Sequence, residues 1–503
     1  MITTLHASAH RAEAILNSLE SGEALPALGT AISQVIAIAS SSDDSVSELT
    51  RFILADAGLT QKILGIANTV EYRSRAGSQV TTISRSVMLL GFDLVKTSAM
   101  AILMAEKLRS VSASEAVRGQ LLQALCASLV VRNMTARFSP QQLEEAAVAA
   151  LFRNTGSLLI AVFEPALHTL LQSRPGDPAV RQQAEDLLGV SVERLTVSVL
   201  QHWKIPELII QATQPCTSGV QAKAASRSEW LRQMVTFATE LVPAIMVQGT
   251  ASQKVQSDCC KRFSAALDIN DAALHKLVQN VQHEIHALMT GLGWQSNTTH
   301  PADTGHTHLG DDFLLQPART AGSVQHYPSG KPFAARQLLL AGLQELRNSA
   351  SSAVSPLNDR IIPMLEVLYS ALGFRTISLL LYDHSNQRWI SVMSIGSAMP
   401  EWRQPISGSN DIFVLALQKN LDIVVADTLD SRISDRLPEW LGQRYPDTRS
   451  MLLMPLVRAE KRFGLIFAER ERSAGEGYTA DESELMNMLR QRMLQLLVPG
   501  TDT

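Results

Sequence analysis

Thr376-Ile377-Ser378-Leu379-Leu380-Leu381-Tyr382, followed by Asp383-His384-Ser385-Asn386 and then by Trp389-Ile390-Ser391-Val392-Met393-Ser394-Ile395, marks the place where the chain changes character. Both apolar runs are short and rich in β-branched and aromatic residues, as strands are. The segment between them is turn chemistry, because Asp and Asn side chains bond their own backbone. Together they read as a β-hairpin. Helices over 334–348 and 356–372 precede it, and a helix near 410–419 follows, with Asn420 as its terminator. Asp422–Ala426 is a third strand. Ser450–Val457 and Phe463–Glu469 form a second hairpin around Ala459-Glu460-Lys461. A short helix is expected at 436–442 and a terminal one over Asp481–Leu497. This order fits an α+β domain over 335–498, an antiparallel sheet with helices on one face.

Upstream the apolar period is that of helices. Ser45 and Glu48 fit a capping box, each side chain serving the other's backbone N–H. Leu49, Phe52 and Ile53 then form an i, i+3, i+4 stripe, and Gly58 is placed to end that helix. The next stripe is Ile63, Leu64, Ile66 and Ala67, ending near Asn68, and further helices are expected over 83–90 (stopped by Gly91), 93–107, 115–137, 141–163, 177–188, 192–202 and 206–213. No segment alternates long enough to make a strand, so 10–215 reads as an all-α domain. Residues 216–292 keep the helical period, as an extension packed on that domain or as an interface with a second copy. Turn formers dominate 293–334, which reads as a linker.

The chain has 503 residues, 46% hydrophobic and 18% charged. That is enough apolar material for real cores and length for about three domains. With 44 Lys+Arg against 48 Asp+Glu, the net charge of −4 does not suggest a nucleic-acid partner. No uninterrupted apolar run approaches the roughly 18 residues of a membrane span, so no membrane association is expected. The start carries no basic region followed by an apolar block, so no secretory signal is expected. Cys126, Cys216, Cys259 and Cys260 are too few for a disulfide scaffold and contain no CxxC pair. Reduced thiols in a cytoplasmic protein are the expectation.

Leu25-Pro26-Ala27-Leu28, Asp56-Ala57-Gly58-Leu59-Thr60, Ile66-Ala67-Asn68-Thr69, Ile83 through Leu89-Leu90-Gly91, Leu188-Gly189-Val190 and Trp203-Lys204-Ile205-Pro206 occur in an order that resembles the HDOD domain. HDOD domains are signalling relatives of the HD phosphohydrolases, and the resemblance covers about 15–215. Members of that superfamily that act on phosphoesters hold divalent metals with a His-Asp pair and further histidines. At the matching positions this chain has Arg153 and Asn154, with Ala127 on the earlier helix and Ser191 on the later segment. Arginine is a fixed cation with no lone pair to donate. The resemblance therefore implies no metal, no catalytic residue and no enzyme activity. Arg153-Asn154 reads either as an anion site or as an ordinary surface or interface arginine, the second being favoured.

Ser450–Val457, Phe463-Gly464-Leu465-Ile466-Phe467 and Tyr478-Thr479-Ala480-Asp481-Glu482 resemble a GAF domain, a small sensor fold, over about 336–498. Its cyclic-nucleotide-binding subset carries an Asn-Lys pair, then Phe, then Asp-Glu. Here Glu469-Arg470 and Tyr478 depart from that pattern, and only Asp481-Glu482 is kept. Trp389, Met393, Asp427 and Arg432 lie on segments that line the cavity in similar folds, which makes them the tentative ligand-binding residues. No cofactor is expected beyond an unidentified small molecule there. His283, His286, His300, His306 and His308 cluster around the linker and are weighed as metal ligands against a solvated stretch. Cys259-Cys260 is weighed as a redox pair against two ordinary thiols.

The functional expectation is a cytoplasmic signalling regulator of bacterial type, a GAF-like sensor tied to an HDOD output domain that contacts other signalling proteins. The sequence does not settle the oligomeric state; helices over 225–290 and 484–497 could pair across a two-fold axis, which leaves a homodimer open. Two alternatives stay open: a divergent metal-dependent phosphohydrolase or nucleotide phosphodiesterase, and a structural dimeric adaptor.

Overall fold

The computed structural model describes residues 11–17, 24–38, 45–76, 79–109, 115–134, 140–174, 177–247, 249–292, 325–348, 357–396, 406–407 and 411–497. The helices run α1 (residues 11–17), α2 (Ala24–Ala37), α3 (Ser45–Leu54), α4 (Ala57–Ala67), α5 (Val70–Ala76), α6 (Ile83–Leu90), α7 (Phe92–Arg109) and α8 (Glu115–Arg132). They continue as α9 (Pro140–Phe152), α10 (Thr155–Phe163), α11 (Pro165–Ser173), α12 (Pro178–Leu188), α13 (Val192–His202) and α14 (Glu207–Ala212). Then come α15 (Arg227–Met246), α16 (Thr250–Leu267), α17 (Asp271–Leu292), α18 (Ala335–Asn348) and α19 (Leu357–Leu372). The last part alternates: β1 (Thr376–Asp383), β2 (Arg388–Gly396), β3 (Ile406–Ser407), α20 (Ile412–Lys419), β4 (Ile423–Val425), α21 (Ser431–Ser434), α22 (Glu439–Arg444), β5 (Ser450–Arg458), β6 (Lys461–Arg470) and α23 (Ala480–Leu497). The expected fold class, helical first and α+β last, is what the structure has.

The chain divides into two compact units, Met1–Ser41 with Phe92–Pro317, and Ser42–Gly91 with Ala318–Thr503. The reading of 10–215 as one block differs from this, because α3–α6 fold with the C-terminal sheet region. Of the expected linker over 293–334, residues 293–324 lie outside the described residues, while 325–334 are structured. His326 bridges Pro332, and Lys331 is buried with its ammonium 2.7 Å from Glu482 Oε2 and 2.9 Å from the Gly477 carbonyl.

Local starts and stops depart from the sequence reading at three places. Ser45 lies inside α3 instead of capping it. Gly58 does not end a helix: Asp56 caps α4, accepting from Leu59 N–H at 3.0 Å, and Gly58 falls in its first turn. The single helix expected over 141–163 is two, broken at Arg153-Asn154. That stretch, Gln142–Phe163, is long and apolar enough to cross a bilayer by length and composition, and 78% of its apolar 18-residue window is buried within the protein.

In the first unit, α8 packs against α9, α10 and α15, and α10 packs against α13. The buried cation Lys96 on α7 closes the end of α2. Its ammonium donates to the Ile36 and Ile38 carbonyls at 3.2 and 2.6 Å and pairs with Glu144 at 2.6 Å. Carbonyls left open at a helix end favour such a cation.

In the second unit the sheet order is β3-β2-β1-β6-β5-β4, with all neighbours antiparallel. The β5–β6 turn uses Ala459 and Glu460, both left-handed at φ 48° and 66°. Alternation puts Leu380, Leu453, Leu465 and Phe467 on one face, where α20 and α22 cover them. α19 contacts β1 and β2 and α23 contacts β5, yet neither joins that cluster. Helices therefore cover both faces of the sheet, not one as the element order alone suggested.

Candidate functional site

The first candidate locus lies where α9 breaks. Thr155 bonds the Phe152 carbonyl at 2.8 Å, and Gly156 N–H donates to Thr196 Oγ1 on α13 at 3.1 Å. A Cβ on Gly156 would sit 2.5 Å from the Val192 carbonyl oxygen and 2.7 Å from Thr196 Oγ1, so only glycine permits this helix crossing. The crossing brings the 153–154 turn beside the start of α13. Ser191 is the N-cap of α13, its hydroxyl accepting from Arg194 N–H at 3.1 Å. Its local role is thus capping. Asn154 holds the N-cap position of α10 without a side-chain cap bond. Ala127 is buried on α8.

Arg153 is half-buried in this turn. Burial pushes its pKa down, while Glu193, Cys216 and Glu240 pull it up. Glu240 is held up by burial, against the pull of Arg262, 2.6 Å away, and of Arg153. The locus is thus a cation faced by carboxylates. Among the described residues no three His, Cys, Asp or Glu side chains are grouped to hold a metal ion. His202 is exposed at the end of α13. His283 and His286 are exposed on α17, and His300, His306 and His308 lie outside the described residues. Cys259 is a buried free thiol whose pKa burial pushes up to about 12, and Cys260 is a free thiol beside it.

The second locus is the face of the sheet under α20 and α22. Trp389 is fully buried there, with ring centroids 4.7 Å from Tyr382 and 6.4 Å from Phe413. Phe413, Trp440, Tyr445 and Phe467 complete the cluster, at centroid distances of 4.8 to 6.4 Å. Among the described residues the Trp389 indole N–H has no hydrogen-bond partner. Below the aromatics, the Ser378 and Ser394 hydroxyls bond at 2.8 Å.

The four sensor-domain candidates do not converge. Trp389 belongs to the aromatic cluster. Met393 pairs with Leu379, one residue out of phase with Leu380, and so lies on the opposite face. Asp427 is engaged by Arg449 at 2.8 and 3.1 Å, which holds its carboxyl below the ordinary range. Arg432 is exposed and clasps Asp430, whose pKa falls to about 2. The Asp430–Arg432 pair is local, whereas Asp427–Arg449 ties the segment after β4 to the residue before β5. Glu469 and Arg470, which differ from the Asn-Lys pattern, are also buried and occupied. Glu469 accepts twice from Arg375 at 2.9 Å and from Thr448 at 3.0 Å. Arg470 donates to the Leu372 and Gly373 carbonyls at 2.7 and 3.2 Å.

Sequence reasoning missed Glu345 and Glu366, two buried carboxylates on α18 and α19. One signal for Glu366 was available, a lone acid inside the apolar run Ile361–Leu368.

Residues 25–216 match the HDOD domain model. No curated protein matches the chain. Among solved structures, one similar chain is a protein from Shewanella amazonensis SB2B described as a phosphohydrolase. It shares 17% identity over 57% of this chain and 99% of that one, at a TM-score of 0.42. Another is the GAF domain of an Acinetobacter phosphoenolpyruvate-protein phosphotransferase, at 19% identity over 32% of this chain and 90% of that one, with a TM-score of 0.26. A third, from a GAF domain/HD domain protein of Geobacter sulfurreducens, has 17% identity over 27% of this chain and 89% of that one, with a TM-score of 0.23. At these values the structural matches mark similarity and nothing more. From the family match, the helical N-terminal region of this chain carries an HDOD domain over residues 25–216.

Proposed function

We propose that the chain is a non-enzymatic signal-transduction regulator of the cytoplasm, in which the C-terminal α+β unit senses and the HDOD region presents a surface to other signalling proteins. The observation that carries this reading is the donor set at the α9–α10 break. In the resemblance to HD phosphohydrolases, Arg153 and Asn154 at this break, with Ala127 on α8 and Ser191 before α13, fall where imidazole and carboxylate ligands are expected. A guanidinium repels a divalent cation, and the serine hydroxyl is occupied as a helix cap. A locus of this kind suits binding and packing better than activation of water. Regulation then requires that a ligand or partner bind two conformations with different affinity.

One observation favours a second reading, a structural dimeric adaptor. The interior under α20 and α22 is filled by its own aromatic side chains, Trp389 and Phe413 among them. Native mass spectrometry of the freshly purified chain separates the two. A retained small molecule supports the sensor. A bare dimer whose partner binding is unchanged by any added ligand supports the adaptor. Turnover of a phosphodiester with manganese, iron or magnesium would reject both.

A further inference from the structure

Two carboxylates from the helices before the sheet close on the start of one helix of the HDOD match. Glu345 on α18 accepts at Oε2 from the Thr81 N–H and hydroxyl, at 3.2 and 2.6 Å, and at Oε1 from the Thr82 hydroxyl at 2.8 Å. Glu366 on α19 accepts from Ile83 N–H, and from the Ser84 N–H and hydroxyl at 3.2 and 2.9 Å. Both acids are buried, 7% and 1% exposed. The first backbone donors of α6 and three hydroxyls beside them are thereby committed to side chains more than 260 residues away in sequence.

We propose that Glu345 and Glu366 form a releasable latch, fastening α3–α6 to α18 and α19 and passing a change in the sheet region to the HDOD segment that continues through Gly91. Three features make it a latch and not merely core. Among the described residues no lysine or arginine pairs with either acid, so only backbone N–H and hydroxyl donors hold the two buried carboxyl groups at this helix end. On release every group involved is a donor or acceptor that water satisfies, so separation strands no polar atom. And α6 keeps its own cap: Thr82 Oγ1 accepts from Arg85 N–H at 3.3 Å, and the Ser86 hydroxyl bonds the Thr82 carbonyl at 3.0 Å. The helix would survive undocking intact. A second tether lies nearby, where the Tyr369 hydroxyl on α19 donates to the Leu54 carbonyl at the end of α3 at 3.2 Å.

The test is hydrogen exchange on the full chain, comparing wild type with Glu345→Ala/Glu366→Ala. Protection of the amides over 83–90 is expected to fall at least tenfold while β1, β5 and β6 keep theirs. Unchanged protection over 83–90, or a loss spread equally through the sheet, would overturn the latch. Should the double variant fail to fold, wild type in graded urea decides. The latch requires 83–90 to open at lower urea than β5 and β6, and opening together with them would overturn it. Neither readout depends on metal content or turnover, so this inference and the functional reading fail separately.

Discussion

Gly156 fixes the spacing of the first locus, because α10 meets α13 at its hydrogen atom. Gly156→Ala is expected to destabilise the chain by about 1–3 kcal/mol through overpacking against the Val192 carbonyl and Thr196, measured as a lowered urea midpoint. Lys331 makes the same kind of argument with charge. Its ammonium and the Glu482 carboxylate are 4% and 6% exposed, and Glu482 also accepts from Thr479 N–H at 2.8 Å. Lys331→Met should cost about 3–5 kcal/mol by stranding the carboxylate, and Lys331→Met/Glu482→Leu should recover most of it. The residue identities at the first locus were legible in the sequence, since Arg153 and Ser191 can be read directly against the family pattern. Their local duties were not. Ser191 caps through Arg194, three residues on, but Arg153 is defined by Glu193 and Glu240, about 40 and 90 residues away. Asp427 and Arg432 read as binding residues because their loop position is visible in the sequence and their ion pairs are not. Their partners, Arg449 and Asp430, take them up, which composition alone does not reveal.

At the scale of elements, strands and most helices follow their periodicity closely. β1, β2, β5 and β6 lie where alternation and turn residues put them. The break between α9 and α10 was hidden because Arg153-Asn154 interrupts an apolar run without proline or glycine before it. β3 escaped because two residues carry no period. Helices on both faces of the sheet were hidden because element order does not say which face a helix takes. Glu366 supplies a pH signature at this scale. Burial pushes its carboxyl up from the usual 4.5 to about 7, against the pull of the Ile83 and Ser84 donors and with Glu345 adding to the rise. The folded form therefore holds this proton more tightly than the unfolded chain. The group's contribution is full below about 4.5 and is lost as pH rises through about 7. Stability from urea titrations should fall between pH 5 and 8 by an amount on the order of 3 kcal/mol from this group. Glu366→Gln should flatten that slope, and an unchanged slope would assign it elsewhere.

At the scale of the whole molecule, contact does not follow chain order. Residues 45–90 match the HDOD model in sequence but fold with the C-terminal unit, whereas 92–216 belong to the first. Pattern reading assigns a segment to its sequence neighbours, and long-range partners such as Glu345 with Thr81 leave no periodic trace. The functional account rests on the proposal that the helical region does not hold a metal and does not activate water. The most direct measurement is metal content of the purified full chain by inductively coupled plasma mass spectrometry, paired with phosphodiester hydrolysis in manganese, iron and magnesium. The account predicts less than one-tenth of a metal ion per chain and hydrolysis no faster than the buffer control. Stoichiometric iron or manganese with turnover that chelation abolishes would contradict it.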